Sequence, residues 1–220
     1  MTFRRSRAIA GVLALAWTAA CAPANIVVEG PPLRRRPHDM TPVRVVRLPK
    51  RDGDAAAPIA YSSGMMIDTD GFVREPRRRA AIERRDPDHL PETSLRYADG
   101  SALDPVQIPY VVLPVGYDEA KIGDLAVIRY RGRSVLAVVG DRGPEGVIGE
   151  ASIAAAESLG IDSDGATGGV EDGVTYTVYP GTGLKNPRGQ DELLDVIYDQ
   201  GTELCARHLK DGVPVAAAAR

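Results

Sequence analysis

Two carboxylates nine positions apart, Asp141 and Glu150, are the side chains best suited to chemistry in this sequence. They lie in the stretch VVGDRGPEGVIGEASIAAAESL, Val138 to Leu159, and glycines beside each leave room for a ligand. A pair of carboxyl groups can hydrolyse a glycosidic bond: one protonates the departing oxygen, and the other activates water or attacks the anomeric carbon. Their separation selects the outcome, about 6.5–9.5 Å for inversion. Two turns and a change from strand to helix between them predict a wide separation. The same residues also have a plainer use, since Asp favours turns and Glu favours the start of a helix. A helix N-terminus beneath Glu150 would lower its pKa and suit it as base; a wall that desolvates it would do the reverse. Both assignments are open on sequence alone, with Glu150 as acid and Asp141 as base the preferred one.

Positioning these groups requires a strand, two turns and a helix. The run LAVVG reads as a buried strand ending at Gly140, which delivers Asp141 into the turn Arg142-Gly143-Pro144. A second glycine-rich turn delivers Glu150. Ser152 then caps a short helix with Ile153, Ala156 and Leu159 on one face and Gly160 closing it. Upstream, Gln107 to Pro114 is a continuous apolar strand, and Asp124–Tyr130 with Ser134–Gly140 form a hairpin over Arg131-Gly132-Arg133. Ile59–Tyr61 and Gly64–Ile67 are expected as short strands entering the acidic turn Asp68-Thr69-Asp70-Gly71, and Val174–Tyr179 supplies a last strand. Val73, Arg74 and Pro76 occupy the later ligand positions of what could otherwise be a calcium loop, so no metal is expected there. No nucleotide motif and no cofactor site is expected either. Arg74 to Arg85 is a charge run read as a solvated helix or loop, and His89 as a surface residue. Short strands with one small helix imply a compact, mainly β barrel.

The ends of the chain have their own character. Arg4, Arg5 and Arg7 precede an apolar run, Ala8 to Ala20, too short to span a bilayer, so residues 1–24 read as an export signal. Thr18-Ala19-Ala20-Cys21 is close to a bacterial lipoprotein signal, with Cys21 the lipidated residue; cleavage after Ala22 or Ala24 is the alternative. The protein is thus expected to be exported, as a cell-envelope lipoprotein or in secreted form. Residues 25–57, rich in proline and carrying Arg34-Arg35-Arg36, read as a linker with one strand at Val43 to Leu48. The domain proper is expected at 58–180. Residues 181–220 are expected to form a loop, an amphipathic helix over Glu192–Leu209 and a disordered alanine tail. With 44% apolar residues in 220, the chain can bury one ordinary core, and its net charge of −3 argues against a nucleic-acid partner. Of two cysteines, Cys21 leaves Cys205 unpaired, so packing rather than disulfides must hold the fold. A monomer is expected.

Three ordered blocks resemble the family 75 glycoside hydrolases, the chitosanases best known from fungi: Met65 to Gly71, Ile108 to Pro114, and Asp141 to Ser152. The resemblance runs from roughly Pro58 to Tyr179. It implies a six-stranded double-psi β-barrel, to which short helices and a C-terminal helix are added. It also implies an inverting, endo-acting cleavage of β-1,4 links in partly deacetylated chitosan. The family's essential Asp and Glu match Asp141 and Glu150, and substrate contact falls to Asp68, Asp70 and Tyr110. Glucosamine units carry ammonium groups at mildly acidic pH, so the groove should be acidic. Asp118, Glu119, Asp124, Asp162 and Asp164 are further candidates to line it. Two departures stand out: Met66 replaces an acid of the family pattern, and Thr69 replaces a cysteine.

Two alternatives accompany this reading. Asp141-Arg142-Gly143-Pro144, an alanine-rich helix and Leu159-Gly160 also resemble rare lipoprotein A, a peptidoglycan-binding or lytic transglycosylase barrel. That family usually has Ile-Asp-Leu-Ser where this chain has Ile148-Gly149-Glu150-Ala151-Ser152, and it lacks a counterpart of Ile108 to Pro114. The loss of an acid at Met66 keeps a non-catalytic carbohydrate-binding barrel as the third reading.

Overall fold

A computed structural model describes residues 26–27, 33–34 and 42–208. The expected signal segment, Cys21, most of the stretch before Pro42 and the alanine tail lie outside the described residues. In chain order the elements are β1 (Ile26–Val27), β2 (Leu33–Arg34), β3 (Pro42–Val43), β4 (Val45–Arg47), β5 (Ile59–Asp68), α1 (Pro76–Arg85), β6 (Tyr110–Pro114), β7 (Leu125–Tyr130), β8 (Arg133–Gly143), β9 (Glu150–Ser152), α2 (Ile153–Leu159), β10 (Val170–Tyr179) and α3 (Gln190–His208).

Six of the strands close on themselves. Going round the ring, β5 pairs with β10, β10 with β7, β7 with β8, β8 with β6, β6 with β9, and β9 returns to β5. The pairs β5–β9 and β6–β8 are parallel and the other four antiparallel. The protein is therefore mainly β: a closed six-stranded mixed barrel with two short helices and a longer C-terminal helix. Its hairpin turn is Arg131-Gly132, both at positive φ (46° and 79°), the two-residue geometry that follows the twist of the flanking strands.

Alternation of side chains sorts the apolar residues into two layers. Met65, Ile67, Val111, Leu113, Ala137 and Val139 fill the barrel interior. Leu125, Val127, Leu136 and Val138 face outward and are covered by Leu193, Ile197, Leu204 and Cys205 of α3. Each large side chain so enclosed contributes about 1.5–3 kcal/mol relative to exposure. The free thiol of Cys205 is thus a packing group. Strand β4 adds to the barrel by pairing Val45–Arg47 against Ile59–Tyr61, and Val43 and Val45 are buried.

Several expectations about elements are refined. The strands expected at Ile59–Tyr61 and Gly64–Ile67 form one ten-residue strand, because Ser62 and Ser63 continue the ladder with β10. Helix α1 occupies the charge run without a single buried residue, capped by the Glu75 carboxylate, which accepts from the Arg77 and Arg78 amides. Helix α2 has the expected caps: the Ser152 hydroxyl accepts from the Ala155 amide, and Gly160 adopts the left-handed conformation at φ 73°.

Candidate active site

The residues expected to do chemistry converge on the outer surface of the barrel, where β5, β9, β6 and β8 lie side by side. Val112 of β6 is the register partner of Glu150 on one side and of Asp141 on the other. Directly paired residues share a face, so both carboxylates project outward from positions two strand spacings apart, roughly 10 Å between Cα atoms. Met66 pairs with Glu150 in turn, and Asp68, two residues further along β5, lies on that same face.

Asp141 is not in a turn, as expected, but inside β8. Strict alternation would send it into the barrel, since Val139 faces inward. The register between β6 and β8 shifts by one residue, from Val111↔Val139 to Val112↔Asp141, and the skipped position is Gly140. This bulge turns Asp141 outward, as extra residues in strands do near functional sites. Glycine is needed there because a Cβ would lie 2.6 Å from Cβ and Cγ of Tyr110. Glu150 likewise sits in a strand, β9, and not at the helix N-terminus, which begins three residues later.

The cleft holds about 420 Å³, and six carboxylates line it: Asp68, Asp70, Asp86, Asp88, Asp141 and Glu150. Arg142 is the cation among its lining residues, and its guanidinium is occupied elsewhere. It donates to the carbonyls of Tyr117 and Ala120 at 2.8 Å and of Pro114 at 3.3 Å. Gly143 keeps space for the Glu150 carboxylate, since a Cβ there would come within 2.9 Å of Oε2.

The carboxylates differ in their surroundings. Burial, reinforced by the charges of Asp70, Asp141 and Asp86, pushes the Glu150 carboxyl up to about 7. Asp68, only 6% exposed, is raised by burial and then by the Glu150 charge beside it. Asp70 is raised by burial as well, and the Leu90 amide bonded to its carboxylate at 2.7 Å opposes that. Asp141, 8% exposed, is held by one oxygen: its Oδ1 accepts from the Ser94 hydroxyl at 2.5 Å, the Ser94 amide at 3.0 Å and its neighbour's amide at 2.6 Å. Asp141 lines the cleft, and these three donors leave its Oδ2 unengaged.

Of the residues expected to touch substrate, Asp68 and Asp70 line the cleft and Tyr110 does not. Its ring is wholly enclosed beneath Gly140, and its hydroxyl donates to the Asp70 carbonyl at 2.7 Å. Tyr110 therefore acts on the cleft through Asp70. Asp124 is buried away from the cleft, accepting from the Lys121 and Gly181 amides at 2.8 and 3.0 Å. Glu119 pairs with Arg47. Sequence reasoning missed Ser94, which lies 47 residues from Asp141 with no local pattern to mark it. It also missed Asp86 and Asp88, which the charge run hid, although Asp-Pro-Asp after a helix is a turn signal. Among the described residues no group of three or more His, Cys, Asp or Glu side chains is arranged to hold a metal.

The comparisons with known proteins bear on this cleft. The family model for the fungal chitosanases of glycosyl hydrolase group 75 matches residues 65–197, more than half of the chain, and so spans every carboxylate named above. No curated protein matches the chain.

Proposed function

Because the chain belongs to glycosyl hydrolase group 75, a membership that supports a chitosanase-type glycosidase, we propose that it cleaves β-1,4 links within partly deacetylated chitosan by single displacement. Glu150 is the general acid. Its raised carboxyl keeps a proton at mildly acidic pH to give to the departing oxygen. Asp141 is the general base, taking a proton from the attacking water through Oδ2 while Oδ1 is fixed by Ser94 and the Arg142 amide. Two strand spacings between their Cα atoms support a wide separation with room for that water, as inversion, with carboxyl groups about 6.5–9.5 Å apart, requires.

The observation that carries this reading is the pairing of both carboxylates with one residue, Val112, on one open face. The acidic lining supports the substrate class, since the ammonium groups of glucosamine units are drawn to Asp68, Asp70, Asp86 and Asp88. Attraction of this kind is screened, so cleavage weakens with added salt. Export, with or without lipid on Cys21, belongs to the same proposal, as does a monomeric state.

Proton NMR of fresh chitosan digests tests the reading. Short oligomers whose new reducing ends carry the inverted anomer are expected. Retained configuration would remove the single-displacement mechanism. Anhydro-muropeptides from peptidoglycan sacculi, with nothing released from chitosan, would instead establish the rare lipoprotein A reading.

A further inference from the structure

The cleft does not end at Asp86. A second depression of about 320 Å³ lies across it and shares Thr69 and Asp86 as a common wall. The wall is a ridge held by the Thr69 hydroxyl, which donates to the Asp86 carboxylate at 2.7 Å. On the far side are the outer turns of α1, the start of α2 and the loop through Gly165. That loop approaches closely because residue 165 is glycine: a Cβ would lie 2.5 Å from the Thr69 methyl and 3.0 Å from the Asp86 carboxylate.

The two depressions differ in charge and texture. The cleft presents six carboxylates with its one arginine turned away. Beyond the ridge, two arginines stand among the acids. Arg85 pairs with Asp164 at 2.6 Å, and Arg78 pairs with Glu157. Asp162 and Asp164 are further engaged by amides of their own loop, at Asp164, Ala166 and Thr167. A third part of the wall is apolar, formed by Ala81, Ile82 and Ile153. An ammonium group there meets three carboxylates and two guanidinium groups, a net lining charge of −1 against −5 in the cleft, so its attraction is much weaker. An uncharged unit with a methyl group meets an apolar wall, hydroxyls and paired charges.

We propose that the depression bounded by Arg85, Ile82 and the Thr69–Asp86 ridge is a binding subsite for one uncharged, N-acetylated sugar unit. This rests on the chitosan reading of the cleft and adds to it a fixed position for acetylation. The chain passes over the ridge, its charged units lie among the carboxylates, and its acetylated unit lies beside α1. The substrate is then a polymer of mixed acetylation, read by position and not only by average charge.

The test uses the full chain carrying Glu150→Gln, so that ligands are bound and not consumed, and glucosamine hexamers with either no acetyl group or one at a known unit. Calorimetry is expected to show one singly acetylated isomer binding about fivefold more tightly than the fully deacetylated hexamer. Arg85→Glu, at a solvent-exposed position, is expected to abolish or reverse that preference, and Ile82→Ser to weaken it; loss in either variant supports the subsite. Equal binding of all isomers, tightest binding of the fully deacetylated hexamer, or a preference unchanged in both variants would overturn it. Digests by the unmodified chain separate the two claims. Chitosan cleaved without any isomer preference sinks the subsite alone, whereas neither binding nor cleavage of any hexamer sinks the chitosan reading with it.

Discussion

Strand β8 runs beneath helix α3 along Leu136 and Val138 and emerges into the open cleft at Asp141, so one outer face of the barrel is built in two ways. In the covered half, apolar side chains from β7 and β8 meet Leu193, Ile197 and Leu204, and Gly201 of the helix makes room for Leu136, since a Cβ there would lie 3.1 Å from its Cδ2. In the open half, the same outward positions on β5, β9 and β8 carry Asp68, Glu150 and Asp141. The first arrangement stabilises the fold by burying apolar surface. The second costs stability, because carboxyl groups are held out of water and beside like charges. The barrel supplies one rigid surface, and the helix decides which half of it is available to a ligand.

Substitutions that separate the halves should separate stability from activity. The largest effect on folding is expected in the covered half. Leu193→Ala removes a fully buried side chain and should cost about 2–5 kcal/mol in chemical unfolding. Chitosan cleavage per folded molecule should survive, and loss of cleavage with an unchanged melting curve would show that α3 acts on the cleft directly.

The open half should reveal itself through pH. The folded Glu150 carboxyl holds its proton up to about 7, whereas in the unfolded chain it releases it near 4.5. Its contribution to stability is therefore fully present below about 4.5 and is lost as pH rises through 7, an effect on the order of 3 kcal/mol. Asp68 and Asp70, also raised, act in the same direction. Melting temperature should fall between pH 5 and 7.5 in the parent protein and fall less in Glu150→Gln. Identical slopes in the two proteins would show that Glu150 is not desolvated.

A smaller effect is expected at the boundary between the halves. Gly140→Ala places a methyl group against Tyr110, for about 1–3 kcal/mol of strain. Relief of that clash would disturb the bulge that aims Asp141 and the Tyr110 hydroxyl that holds the Asp70 carbonyl. Activity should drop by more than the stability loss explains, and activity retained at full rate would separate the bulge from catalysis.

These halves were not equally legible in the sequence. The hairpin, the Ser152 and Gly160 caps and the amphipathic α3 follow from local rules of turn geometry, capping and periodicity. The caps are where expected, the turn is Arg131-Gly132 with Arg133 already in the strand, and the helix starts two residues before Glu192, at Gln190. The bulge at Gly140, the strand β9 and the anchoring of Asp141 by Ser94 depend on pairings between distant segments, which local pattern does not carry. Placing Asp141 and Glu150 in turns followed from the surrounding glycines. Gly143 instead serves close approach to the Glu150 carboxylate, while Gly149, at φ 102°, supplies both a left-handed backbone and a close approach to the Ser63 side chain. Tyr110 entered as a substrate contact through the family resemblance, and only the sheet order shows that Gly140 lies across its ring.

The central claim, that Glu150 and Asp141 are the acid and base on the open half, is tested most directly by chitosan cleavage in Glu150→Gln and Asp141→Asn. Both are measured at pH 5, with melting curves to confirm folding. Each variant is expected to lose at least about 10²–10⁴-fold in kcat while melting as the parent does at that pH and still binding polymer. A folded Glu150→Gln protein that cleaves at the parent rate would remove Glu150 from the mechanism, and full activity in both variants would contradict the account.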